Sequence, residues 1–172
     1  DYAGARNWGL QQVRSGWVLF LDADERLTRE AISEIQGVVC DGTAQGYAFK
    51  RTDVFYGALL RWGDSGAVSL VRLGRVGAGK WGGRVHEVWL IHDVGKMRTP
   101  LLHYAHAGVR SLFAAVKTYA LIRARELYAS HHYWNLAEQV FYPPMKFLYL
   151  FLIRLGVLDG WRGLVMSLAM AY

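Results

Sequence analysis

The sequence predicts an α/β fold, and three observations predict it. First, residues 16–27, "GWVLFLDADERL", run five apolar positions, 17–21, straight into Asp22, Asp24 and Glu25. A continuous rather than alternating apolar run reads as a strand buried on both faces. Second, helical spacing flanks it. Residues 3–14 form a short helix ending at Ser15-Gly16, and Thr28 is a good N-cap for a helix over 29–39 with Ile32, Ile35 and Val39 on one face. Third, several further strands follow. Helix, buried strand, acidic loop, helix is the order of an α/β unit.

The further strands are expected over 46–51, 67–73, 85–91 and 96–102, punctuated by glycines at 57, 63, 66, 74, 77, 79, 82 and 83. From Ser111 the helical period returns, with Leu112, Ala115, Val116, Tyr119 and Ile122 as an apolar stripe. Pro143-Pro144 are expected to break that helical region. Two apolar pieces follow, 147–155 and 164–172, joined by Asp159-Gly160-Trp161-Arg162-Gly163. Neither reaches the roughly 20 residues that span a bilayer, so each reads as a core helix or as one lying in the membrane interface. Lys146, Arg154 and Arg162 flank them as basic residues flank interfacial helices. The expected organisation is a partial catalytic α/β domain over 1–110 and a helical region over 111–172, for which membrane association and plain core packing both stay open.

The 172 residues suffice for one domain with a real core. The chain opens on Asp1 and stops inside an apolar run, and it reads as a fragment cut at both ends. Lys plus Arg is 20 against 14 for Asp plus Glu, a net charge of +6 that calls for an anionic partner. No run of interleaved basic and aromatic residues of the RNP type is present, so nucleic acid is not expected. The single cysteine, Cys40, excludes an internal disulfide, fits a reducing compartment, and reads as a small apolar filler.

Three groups of residues carry candidate chemistry. Asp22 and Asp24 stand where a strand ends, the usual ligand position in open α/β sheets. Carboxylates two apart in an extended loop point to one side, where they can share Mg²⁺ or Mn²⁺ with the oxygens of a bound diphosphate. The alternative is a solvated turn. Glu87 lies in Arg84-Val85-His86-Glu87; strand alternation puts it on the face of Val85 and Trp89, and His86 on the opposite face. A carboxylate beside an indole suits a general base; the alternative is a surface ion pair with a nearby arginine. His103, at another strand end, suits a metal ligand or a hydrogen-bonded core group. His131-His132 read as surface.

Four stretches now carry a resemblance: 5–10 (ARNWGL), 17–26 (WVLFLDADER), 84–87 (RVHE) and 155–161 (LGVLDGW). In this order they resemble the family 2 inverting glycosyltransferases, and within them the branch of lipopolysaccharide core glucosyl and heptosyl transferases. The resemblance implies the nucleotide-diphospho-sugar transferase fold of GT-A type, truncated here, with C-terminal apolar helices. It implies Asp24 as the more direct metal ligand and Asp22 nearer the donor, with His103 completing the divalent metal site (Mg or Mn). Glu87 matches the acceptor-side base. Arg6, Asn7 and Arg84 would line the donor, and Glu25, His86 and Trp89 would support these groups or face the acceptor. The partners implied are a nucleotide-sugar donor and a glycan or lipid-linked acceptor at the cytoplasmic face of the inner membrane, in envelope glycan synthesis. The upstream nucleotide-binding half is missing from this pattern, so the fragment alone is expected to be inactive. The rival readings are a haloacid-dehalogenase-like phosphatase, whose Asp-x-Asp normally precedes a Gly-Thr pair rather than Glu25-Arg26, and a non-catalytic membrane-associated binding module.

Overall fold

A computed structural model describes residues 2–14, 16–65, 68–83, 87–131 and 135–172. The chain divides into two compact units, one of Asp1–Arg51 with Val68–His103, the other of Thr52–Ala67 with Tyr104–Tyr172.

The first unit begins with helix α1 (Tyr2–Gln12), which buries Ala3, and strand β1 (Trp17–Leu19). β1 is shorter and less buried than its apolar run suggests. Its residues are half-buried and Leu21 is exposed. The reason is its place: it ends the path β1-β5-β3 and pairs with one neighbour among the described residues. A two-residue strand, β2 (Glu25–Arg26), follows the acidic turn. Helix α2 (Arg29–Asp41) starts as expected, with Thr28 Oγ1 accepting the Ala31 N–H at 3.1 Å. Cys40 is exposed on α2, not buried filler, because it lies away from the face that packs Ile35 and Val38 inward.

The sheet is built around β3 (Gly46–Phe55), whose first half belongs to this unit. β5 (Ser69–Arg75) pairs with β3 and β1, both antiparallel, with a register shift at Tyr47/Ala48. The expected strand over 96–102 is two strands. β8 (Val94–Lys96) runs parallel to β3, and β9 (Leu101–His103) pairs antiparallel with β2, so that Glu25 stands opposite His103. Pro100 lies between them and cannot donate to a ladder. β6 (Gly79–Gly82) and β7 (Val88–Ile91) form a separate antiparallel pair. In β7, Trp89 is buried while Val88 and Leu90 are exposed, the expected alternation.

Two apolar clusters hold this unit. Ala44, Tyr47, Phe49, Leu73, Met97 and Leu101 form one. Ala3, Trp81 and Trp89 form the other, with Val18 and Phe20 against them. Gly74 makes the second possible: a Cβ there would lie 2.7 Å from Trp89, so any larger residue would displace the indole.

The second unit takes the end of β3 with β4 (Ala58–Leu59), then helices α3 (Val109–Ala129), α4 (Leu136–Leu148) and α5 (Gly160–Ala171). Its core is Phe55, Leu60, Leu112 and Ala169, with Phe113, Val116, Met166 and Met170 around it. The α3 stripe is buried only at its start. Leu112 is fully enclosed, but Tyr119 and Ile122 are exposed. Pro143 and Pro144 do not break the chain; both lie inside α4. Proline φ is helical, so the cost is the missing N–H and crowding one turn back, which this helix accommodates. α4 continues through a π-helical turn (Tyr149–Ile153), Leu155 takes a left-handed φ of 58°, and a 3₁₀ turn (Gly156–Asp159) leads into α5.

Candidate active site

The turn after β1 separates the acidic residues. Glu25 N–H donates to the Asp22 carbonyl and Asp22 N–H donates to Glu25 Oε2, each at 3.0 Å. An extended loop would have aimed Asp22 and Asp24 to one side. The closed turn sends their carboxylates to different partners instead.

Asp22 faces arginines. Its Oδ1 accepts from Arg6 Nη2 at 2.7 Å, and its Oδ2 accepts from Arg72 Nη2. Glu25 is buried and its Oε1 accepts from the same Arg72 Nη2 at 2.7 Å. Asp24 faces the strand opposite: its Oδ2 lies 3.3 Å from His103 Nε2. The pairing of Glu25 with His103 explains this approach, because Asp24 is the next residue along β2's entry. Among the described residues no group of three or more His, Cys, Asp and Glu side chains forms a metal cluster.

Arg6 connects this turn to Glu87. Its Nη2 lies 3.6 Å from Glu87 Oε1, and its guanidinium sits 4.4 Å above the Trp81 ring. Trp81 stacks on Trp89 at 5.5 Å between ring centres, and Phe20 meets both edge-on. Arg6 therefore lies on an aromatic bed that limits where its charge can go. Asn7 fixes the same bed: its Nδ2 donates to the Trp81 carbonyl at 2.9 Å, and its Oδ1 accepts the Trp81 N–H at 2.8 Å. Both ends of the Asn7 amide are spent on backbone. Glu87 is mostly covered, with 17% of its side chain exposed, and it precedes β7.

The structure thus brings Arg6, Asp22, Glu25 and Glu87 into one chain of ionic contacts and sets Asp24 against His103. Trp89 lies in the aromatic core, beneath Trp81, rather than in an open cleft. Arg84 and His86 lie outside the described residues, as does His132; His131 is exposed. The expected organisation missed Arg72. The signal was available, since a charged residue in the middle of the apolar strand run "SLVRLGR" requires a buried partner.

In this mixed sheet the Asp-x-Asp turn sets arginines on its first aspartate and a histidine beside its second. The chain belongs to glycosyl transferase family 2, whose family pattern matches residues 1–98. No curated protein matches it. Membership brings glycosyl transfer, from a nucleotide-sugar donor to an acceptor, as the general activity. It decides against a phosphatase reading of the Asp-x-Asp.

Proposed function

We propose that the protein is a metal-dependent inverting glycosyltransferase with Asp24 and His103 as metal ligands and Glu87 as general base. The observation that carries this is the 3.3 Å approach of Asp24 to His103. Two ligands on one ion stand about 3–4 Å apart, and Mg²⁺ and Mn²⁺ sites commonly use few protein groups and fill the rest with substrate phosphates and water. When bound, the ion would stabilise negative charge on the departing nucleoside diphosphate.

Glu87 takes the proton of an acceptor hydroxyl as that oxygen bonds to the anomeric carbon. The bond from that carbon to the diphosphate oxygen breaks in the same displacement, and the configuration inverts. General-base help of this kind contributes roughly 10²–10⁴-fold. Arg6 holds Glu87 and Asp22 at a fixed separation and sets positive charge near the donor. Asp22, with both oxygens already bonded, keeps Arg6 and Arg72 in place on the donor side.

The acceptor is a cell-surface glycan or lipid-linked sugar, and the reaction belongs to lipopolysaccharide core or related envelope glycan synthesis at the cytoplasmic face of the inner membrane. The resemblance of residues 155–161 to that branch and the apolar helices of the second unit support this. Asp24→Ala tests the core of the proposal. In the full-length protein it is expected to abolish transfer while leaving the circular-dichroism spectrum and Tm unchanged. Wild-type turnover of a nucleotide-sugar donor by this variant would overturn the metal assignment.

A further inference from the structure

Among the described residues of the first unit Glu25 and Arg72 are the buried charged groups, and Arg72 takes no step in the transfer described above. Arg72 lies in the middle of β5, between β1 and β3 in the sheet, and is 4% exposed. Its Nη2 bonds both Asp22 and Glu25, while its Nε is buried without a hydrogen-bond partner. Replacing a buried ionic group by apolar residues of similar volume is often neutral or stabilising. Stability is therefore a poor account of why an arginine stands here.

Geometry gives a better one. Phe20 N–H donates to the Arg72 carbonyl at 2.8 Å, extending the β1–β5 ladder to two residues before Asp22. The Arg72 backbone is thus tied to the strand that delivers the acidic turn. Its side chain then closes a ring: Arg72 to Asp22, Arg72 to Glu25, and Glu25 Oε2 to the Asp22 N–H. The ring spans the turn that contains Asp24. The carboxylates of Asp22 and Glu25 flank Asp24 in sequence, and both are held by one nitrogen.

We infer that Arg72 is a positioning residue for transfer. It clamps Asp22 and Glu25 so that the turn holds Asp24 against His103. The effect on turnover rests on the proposed function, but the effect on the turn does not.

The experiment uses the full-length chain and three forms: wild type, Arg72→Lys, and the double variant Arg72→Met/Glu25→Leu, which removes both buried charges together. Hydrogen exchange read by mass spectrometry follows amides 22–26 alongside those of β3 and β5. Thermal unfolding and donor turnover with Mn²⁺ and nucleotide sugars are measured in parallel. In the double variant, Tm is expected to stay level or rise. Amides 22–26 should exchange at least about tenfold faster with β3 and β5 unchanged, since local opening is separable from global unfolding. The ratio kcat/KM should fall about 100-fold, with most of the loss in kcat, because misplacement of a metal ligand acts on the transition state. Arg72→Lys keeps the charge and a donor nitrogen on a shorter side chain and should recover part of both effects. Unchanged exchange at 22–26 overturns the inference, as does a uniform rise in exchange with a lower Tm, which marks a merely structural ion pair. Full turnover in the double variant overturns it too. A wild type that transfers no sugar from any donor defeats the transferase proposal, while the exchange measurement still decides the clamp.

Discussion

Arg6 Nη2 lies within ionic reach of two carboxylates at once, 2.7 Å from Asp22 and 3.6 Å from Glu87, while its guanidinium plane rests on Trp81. A lysine could supply the charge but not the stacking plane. Arg6→Lys is therefore expected to lower kcat/KM by about 10–100-fold, through misplacement of Glu87 and the donor together. The measurement is steady-state transfer with a Tm control; a variant as active as wild type would place Arg6 outside the site. At this scale the sequence was legible where chemistry is written in residue type. Asp22, Asp24 and His103 could be singled out as polar groups at the end of a strand, and Glu87 as a carboxylate beside an indole within one. What could not be read was partnership. Whether Asp22 faces an ion or an arginine depends on a closed turn of four residues and on Arg72, fifty positions away. No local pattern encodes a contact of that range.

Elements were legible in type and less so in extent. α1, α2 and α3 follow from helical spacing and one cap, and the alternation in β7 follows from period two. The run at 17–21 misled because continuous apolar character describes a strand's sides, not whether a second strand pairs with it. Pro143-Pro144 misled because the rule against proline concerns lost bonds, and a helix with its other bonds intact tolerates the loss. The segment 155–163 shows the converse. Asp159 accepts the backbone N–H groups of Arg61 and Trp62, Arg162 donates to the Phe55 and Tyr56 carbonyls, and a Cβ on Gly163 would fall 1.8 Å from the Gly156 oxygen. The pattern that resembles the family branch is here a structural corner. A second staple joins α2 to the residues after β8. Glu34 accepts from the Arg98 and Thr99 N–H groups, at 2.7 and 2.9 Å, and from the Thr99 hydroxyl. Burial works to raise its pKa, but the Thr99 hydroxyl, the two amides and the charge of Arg98 together hold it below the ordinary carboxylate value. A depressed folded pKa gives stability that is full above the unfolded pKa and is lost as pH falls through the folded one. Glu34→Gln is expected to cost about 1 kcal/mol near neutral pH, the worth of a partly exposed charge-assisted bond. The gap to wild type should close as pH drops below the carboxylate range. Denaturant melts across that range check it; a gap constant with pH would show that the charge is not what Glu34 contributes.

At the scale of the whole molecule, the two units divide the properties of the chain. Every placed site residue lies in the first. The second carries much of the exposed apolar surface. Among the described residues no single helix is long and apolar enough to cross a membrane, but the pair 136–153 and 156–171, bent by 72°, passes that test together by length and composition. α4 has no buried residue, and Val140, Phe141, Met145, Ile153 and Leu158 are each more than half exposed. Exposed apolar side chains on one bent pair are costly in water, and the membrane contact of the proposed function would cover them. Lys146 and Arg154 are spaced along the same pair and suit an anionic headgroup layer. The proposed envelope function supplies the occupant, a lipid surface that presents the acceptor. The full-length protein is therefore expected to float with phosphatidylcholine vesicles containing phosphatidylglycerol at low salt, and to bind phosphatidylcholine alone more weakly. Each basic residue near such a surface is worth about 1 kcal/mol, an attraction that salt screens. Ile153→Asp with Leu158→Asp places charge on the exposed apolar face and should abolish flotation while leaving the first unit folded. Failure of the wild type to float at low salt would remove the membrane from the proposal. Flotation unaffected by the two aspartates would move the contact to another surface.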